Sequence, residues 1–183
     1  MDRCLLTPNR TSMGHISIAV ERRNILDGIY ELEKKIKTRI PLPQKLLFAA
    51  TGTLEKTLSI LTGSETAVRI LEQTDLPGVI SRSIYIVLKE NEKILVNARS
   101  NIYPSFLPEN IVRRIRKKKE SIGDILDSER LETYKSIIRL GYDSSNRSYF
   151  KIYHIVFKSN IAFSIEENFA ASLYEQINFG PSV

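Results

Sequence analysis

Apolar positions along the chain recur first at a helical period and then at a strand period. Ile25, Ile29, Tyr30, Leu32 and Ile36 are spaced near 3.6 residues within a highly charged segment that ends before Pro41, which predicts a helix within 18–40. A second helical stretch follows Pro43. Its stripe runs through Leu46, Leu47, Ala50, Leu54, Leu58 and Leu61, is interrupted at Gly52-Thr53 and closes at Gly63. Beyond Gly63 the period falls to two, predicting strands at 66–73, 79–89 and 93–103, with Glu90-Asn91-Glu92 as a hairpin turn. A helical region over 108–126 carries a break at Ser121-Ile122-Gly123. Strands at 131–140, 148–158 and 161–169 follow, the last two joined by a tight turn at Ser159-Asn160. Residues 1 to about 18 mix Pro, Asn, Thr, Ser and Gly without periodicity and predict a loose arm.

Strands arriving as consecutive hairpins, with helices grouped before and between them, predict an α+β fold: an antiparallel β-sheet with helices packed on one face. The expected organisation is an N-terminal arm and helix over 1–42 and an α+β domain over 43–183, together one compact unit.

Strand parity also exposes two charges on apolar faces. In the last strand Ile161, Phe163, Ile165, Glu167 and Phe169 share one side while Glu166 falls on the other. In the strand at 79–89, Arg82 is in line with Ile80, Ile84, Ile86 and Leu88. A carboxylate or guanidinium on a buried face costs several kcal/mol unless it is paired or bound. Two readings are open: a buried Arg82–Glu167 salt bridge, or a small organic acid whose carboxylate meets the arginine fork and whose hydroxyl meets the glutamate. A one-residue register error would put Glu166 inside in place of Glu167. Between these strands, Ala98 and Ser100 are small residues on the face of Ile94, Val96 and Ile102, and they predict a hollow. Arg99 points to the opposite side with Asn97 and Asn101 and reads as a surface or structural residue.

Composition narrows the class. The 183 residues are 42% hydrophobic and 26% charged, a balance that suits one globular domain and excludes disordered and collagen-like chains. The lack of a long apolar run or signal-peptide layout predicts a cytoplasmic protein without a membrane partner. A single cysteine, Cys4, excludes an internal disulfide, and the Asn-x-Ser/Thr matches at Asn9 and Asn146 then carry no weight as glycosylation sites. The net charge of +6 concentrates in the run from Arg113 to Lys119. That run follows a helix-start signal at Pro108 and lacks interleaved aromatics, so it reads as a solvated helix end and no nucleic-acid partner is expected.

Among chemistry-bearing motifs, phosphate loops, zinc-protease helices and nucleophile elbows are missing, and the two histidines, His15 and His154, are not spaced as a metal pair. His154 reads as a structural strand residue. Gly52 inside a helical pattern reads as a packing or helix-break glycine, with ligand admission as the alternative.

These residues carry a family likeness. The chain resembles the chorismate lyase family, particularly its compact archaeal and bacterial lyase-like members, from about Lys45 to Tyr174. The ordered stretches are Leu46-Leu47-Phe48-Ala49-Ala50-Thr51-Gly52-Thr53-Leu54, Arg82 opening a long strand, Ala98-Arg99-Ser100-Asn101-Ile102-Tyr103-Pro104, Ser121-Ile122-Gly123-Asp124-Ile125-Leu126, and the closing Ile165-Glu166-Glu167-Asn168-Phe169. The resemblance implies a small cavity in which chorismate is split to 4-hydroxybenzoate and pyruvate without cofactor or metal. It assigns Arg82 to the ring carboxylate and Glu167 to the ring 4-hydroxyl, with a protonated Glu167 expected from burial. Leu54 and Ile122 fall where the family lines its cavity; Thr53 and Lys151 complete the substrate-binding candidates. The proteobacterial enzymes have an arginine-rich strand where this chain has Tyr149, Lys151 and Tyr153. A related architecture serves as the effector-binding domain of some transcription regulators, so a non-catalytic module for an aromatic or sugar-like acid is the alternative. Residues 1–42 offer one clear helix, too little for a helix-turn-helix, which favours the enzyme.

Overall fold

One seven-stranded antiparallel sheet dominates the computed structural model of the chain, which describes residues 14–20 and 24–172. Its strands are β1 (His15–Ala19), β2 (Thr66–Leu76), β3 (Val79–Leu88), β4 (Ile94–Ile102), β5 (Tyr134–Asp143), β6 (Ser148–Phe157) and β7 (Asn160–Ala170). They are ordered β1-β5-β6-β7-β4-β3-β2 across the sheet, and every neighbouring pair is antiparallel. Five helices accompany them: α1 (Ile25–Ile36), α2 (Leu42–Ala49), α3 (Leu54–Thr62), α4 (Glu109–Arg116) and α5 (Ile122–Ser128). The α+β class, with its antiparallel sheet, is as the sequence predicts.

The expected loose arm is corrected in its last part. Residues 15–19 form β1 and pair along β5 from His15↔Asp143 to Ala19↔Arg139. The physical reason is alternation within a very short segment: Ile16 and Ile18 turn toward the helices while His15 and Ala19 are exposed. The expected arm over 1–13, Cys4 and Asn9 lie outside the described residues. The first helix is correspondingly shorter than the 18–40 window. Asn24 caps it by accepting from the Leu26 amide at 3.0 Å, and it buries Gly28, Ile29 and Leu32. A side chain at Gly28 would place its Cβ 2.2 Å from Val20 Cγ1, so the glycine lets α1 lie directly on the end of β1. The predicted second helical stretch is two helices, α2 and α3, with the interruption at Thr51-Gly52-Thr53. The helical region after Pro108 is α4 and α5, divided at residues 117–121.

All five strands from β3 to β7 that carry the core turn one face toward the helices. At one end of that face Ile86, Val96, Tyr149 and Phe169 pack in a cluster with Leu32 of α1, Leu47 and Phe48 of α2 and Leu58 of α3. At the other end Ile80, Ile102, Ile155 and Phe163 pack with Ile111 and Ile115 of α4 and Ile125 of α5. Two separate apolar clusters over one continuous sheet leave a space between them. That space holds the site.

The basic run at 113–119 is largely tied down at the end of α4. Arg114 pairs with Glu120 and, at 2.7 Å, with Glu129; Arg116 Nε donates to Asp75 at 2.6 Å; Lys118 Nζ donates to the Gln73 carbonyl at 3.0 Å. These contacts fasten α4 to α5 and β2. No helix among the described residues is long and apolar enough to cross a membrane.

Candidate ligand cavity

Antiparallel register sets the floor of the space between the clusters. One row across the sheet runs Gln73, Arg82, Ser100, Ile165, Tyr153; the next runs Ile84, Ala98, Glu167, Lys151, Leu140. Arg82 and Glu167 are therefore two strands and two residues apart, a diagonal of roughly 12 Å between Cα atoms at standard sheet spacings. The residues between them on β4 are Ala98 and Ser100, whose short side chains fill little of the layer. A cavity of about 510 Å³ opens above them, roofed by the 51–56 segment and the start of α5. The predicted hollow is the floor of this cavity, and Arg99 is exposed on the opposite face.

Arg82 is 2% exposed and reaches across to the helical layer. Nε donates to Gln73 Oε1 at 2.7 Å, Nη1 to the Glu120 carbonyl at 3.0 Å and Nη2 to the Ile115 carbonyl at 2.6 Å. A guanidinium has five N–H donors, so one on each terminal nitrogen is left without a partner among the described residues. No carboxylate among the described residues lies within 4.0 Å of it, which rules out the Arg82–Glu167 salt bridge as its partner. Burial lowers its pKa to about 10, which still leaves it charged at neutral pH.

Glu167 is 4% exposed, and Glu166 is the half-buried neighbour on the other face, so the alternation of Phe163, Ile165, Glu167 and Phe169 holds. Its partners come from β6. Tyr153 donates its hydroxyl to Oε1 at 2.7 Å, and the Lys151 ammonium stands 3.2 Å from Oε2. The Lys151 contact is close enough for an ion pair yet poorly aligned for a hydrogen bond, so Oε2 has no aligned donor among the described residues. One oxygen of Glu167 thus accepts from the Tyr153 hydroxyl while the other faces the cavity beside the Lys151 ammonium. Burial and the adjoining Glu167 push the Tyr153 hydroxyl well above its ordinary pKa, which keeps it a donor.

Of the sequence-predicted residues, Thr53, Leu54, Arg82, Ile122 and Glu167 all line the cavity. Leu54 begins α3, and Thr53 caps that helix by position and donates to Asp127 Oδ2 at 3.3 Å. Ser121 caps α5 by accepting from the Asp124 amide at 3.0 Å, which aims Ile122 inward. Gly123 lets the two caps meet, because a Cβ there would lie 2.9 Å from Thr53 Cγ2. Gly52 lies at the break between α2 and α3 on the cavity rim, with open space where a side chain would be. Lys151 does not line the cavity. It is 1% exposed and sits beneath Glu167, donating to the carbonyls of Leu47 at 2.7 Å and Ala50 at 3.1 Å. His154 is on the outer face of β6, and His15 pairs with Asp143 at 3.0 Å.

The chain is distantly similar to chorismate pyruvate-lyases. Proteins of that name from two Mycobacterium tuberculosis strains and from Mycobacterium bovis are 22% identical over 160 residues, covering 71% of this chain and 80% of theirs. No family model matches the chain.

Tyr153, Lys135 and Glu55 are among the cavity residues that were not candidates from the sequence. Lys135, on β5, donates to the Gly52 carbonyl at 2.6 Å and lies 4.9 Å from the centre of the Tyr153 ring. Burial pulls its pKa down, with Glu167 opposing that shift. Burial pushes the Glu55 carboxyl up, helped by the nearby charges of Asp124 and Glu167. Parity along 148–158 would have found Tyr153, since it shares a face with Lys151 and Ile155. Lys135 needed the register of β5, which runs over Tyr134–Asp143, three residues later than the predicted 131–140.

Proposed function

We propose that this cavity binds a flat hydroxylated aromatic acid and that the protein acts as a chorismate lyase, splitting chorismate into 4-hydroxybenzoate and pyruvate without metal or cofactor. The observation that carries the reading is a pair of unmet needs on one wall. Among the described residues, two N–H groups of Arg82 have no partner and no carboxylate beside them, and Glu167 Oε2 lacks an aligned donor, with the small residues Ala98 and Ser100 between. A ring carboxylate meets the first need and a para hydroxyl the second.

In this pose the C3–O ether bond breaks with its electrons leaving on the enolpyruvate oxygen. The C4 hydrogen leaves as a proton, the ring becomes aromatic, and enolpyruvate takes up a proton at its methylene carbon to become pyruvate. Arg82 fixes one end of the ring. Glu167 adjoins the carbon that loses its hydrogen, held in place by Tyr153 and Lys151. Since aromatisation drives the reaction, the protein's part is to hold the ring in the reactive geometry and to stabilise charge developing on the departing group. The apolar walls from Leu54, Ile84, Ile122 and Ile165 exclude water around the ring.

The distant likeness to chorismate pyruvate-lyases supports this assignment. Incubation of the purified protein with chorismate is the test: 4-hydroxybenzoate and pyruvate are expected in equal amounts. Tight binding of 4-hydroxybenzoate without turnover would favour a binding module, and neither product nor binding would defeat the proposal.

A further inference from the structure

Charge pairing around the cavity leaves a second cation to explain. Among the charged residues lining it, Lys56 pairs with Asp127 at 2.8 Å and Glu167 stands over the ammonium of Lys151 at 3.2 Å. Two cationic lining residues, Arg82 and Lys135, have no carboxylate within 4.0 Å among the described residues. Glu55, the remaining carboxylate of the lining, stands beyond 4.0 Å from both cations, and burial raises its pKa. The two cations are at different ends. Arg82 is on β3, whereas Lys135 is on β5, across β4, β7 and β6, and stands 4.9 Å from the centre of the Tyr153 ring, whose hydroxyl reaches Glu167 at 2.7 Å.

Resting on the lyase reading above, we infer that Lys135 receives the second carboxylate of a dianionic substrate, the one on the side arm next to the ring hydroxyl. The placement follows from the ligand's own geometry. With the ring carboxylate on Arg82 and the hydroxyl on Glu167, an ether arm on the carbon beside the hydroxyl reaches the neighbourhood of Glu167 and Tyr153, where Lys135 stands. Its ammonium has three N–H donors, of which one is engaged by the Gly52 carbonyl at 2.6 Å. A carboxylate there also offsets the burial that now disfavours its charge. Lys135 in this role selects diacid over monoacid, so the substrate is held at both ends and the product, having lost the side arm, by one cation fewer.

The test compares two ligands that differ in the side-arm carboxylate: 4-hydroxybenzoate and the stable diacid 3-(carboxymethoxy)-4-hydroxybenzoate, titrated calorimetrically into the wild-type protein, Lys135→Met and Lys135→Arg. Methionine keeps the apolar stem against Tyr153 and removes the charge. Lys135→Met is expected to weaken the diacid on the order of 10- to 100-fold, as for loss of one charge-assisted hydrogen bond, and the monoacid less than about threefold, with Lys135→Arg recovering much of the diacid affinity. Equal weakening of both ligands overturns the inference and makes Lys135 a strut for the Gly52 segment. Unchanged diacid binding overturns it as well. A wild-type protein that binds neither compound overturns the lyase reading itself, and the inference with it.

Discussion

Replacing Glu167 by glutamine separates what this residue does for the fold from what it does for a ligand. Lys151 is 1% exposed, and besides Glu167 at 3.2 Å its ammonium has the carbonyls of Leu47 and Ala50 at 2.7 and 3.1 Å. Glu167→Gln leaves that ammonium buried with dipoles alone, and breaking a buried pair by removing one partner costs about 3–5 kcal/mol. Because both carbonyl contacts survive, the lower end, about 3 kcal/mol, is expected. For a domain of this size that corresponds to a fall in Tm of roughly 6–12 °C. Lys151→Met in the same background removes the stranded charge and fills its volume, so the double variant should recover most of the loss. Calorimetric unfolding of the wild type, both single variants and the double variant closes the cycle, with an expected coupling of about 2 kcal/mol. Binding should not follow stability: the double variant still lacks the carboxylate and should hold 4-hydroxybenzoate roughly tenfold more weakly than wild type. A Glu167→Gln protein that melts within about 2 °C of wild type, or a coupling under about 0.5 kcal/mol, refutes the pairing as the residue's structural role.

Ala98 and Ser100 keep the floor of the cavity low, so Ala98→Leu should fill it, abolish 4-hydroxybenzoate binding and leave Tm near or above wild type; unaltered binding would place the ligand elsewhere. Arg82→Lys cannot meet Gln73, the Ile115 and Glu120 carbonyls and a ligand with three donors, so affinity should fall at least about tenfold and stability by about 1–3 kcal/mol, read by titration and denaturant unfolding. Glu55 has a raised pKa in the folded state, so the folded protein holds its proton more tightly than the unfolded chain. Stability from this group is present below the unfolded value of 4.5 and is lost as pH rises through the folded pKa. Glu55→Gln should therefore raise Tm at pH 8 and give no gain at pH 4; an equal gain at both would assign the effect to packing.

Strand alternation made the central pair legible, and irregularities in the sheet hid its surroundings. Phe163, Ile165, Glu167 and Phe169 alternate without a break, so the parity of Glu167 could be read from the sequence alone. Its partner could not. Counting back from the hairpin, where Phe157 faces Asn160 and Val156 faces Ile161, places Lys151 opposite Glu166. A bulge between Ile155 and Val156 shifts the register by one and brings Lys151 opposite Glu167. A similar shift between Ile137 and Arg139 interrupts β5, and this is why the strand that carries Lys135 had no clean period. β1 was missed because its alternation spans only five residues beside an aperiodic polar segment. The hollow over Ala98 and Ser100 was legible because small residues in a bulky layer are a local signal. The extra contacts of Arg82 were not, since the Ile115 and Glu120 carbonyls come from a helix end more than thirty residues away in the chain.

The most direct test of the account is a crystal structure of the protein with 4-hydroxybenzoate. The ligand is expected over Ala98 and Ser100, with its carboxylate at hydrogen-bond distance, about 2.8 Å, from the terminal nitrogens of Arg82 and its hydroxyl donating to Glu167 Oε2. A ligand bound outside this cavity, or one turned with its carboxylate toward Glu167, would contradict it.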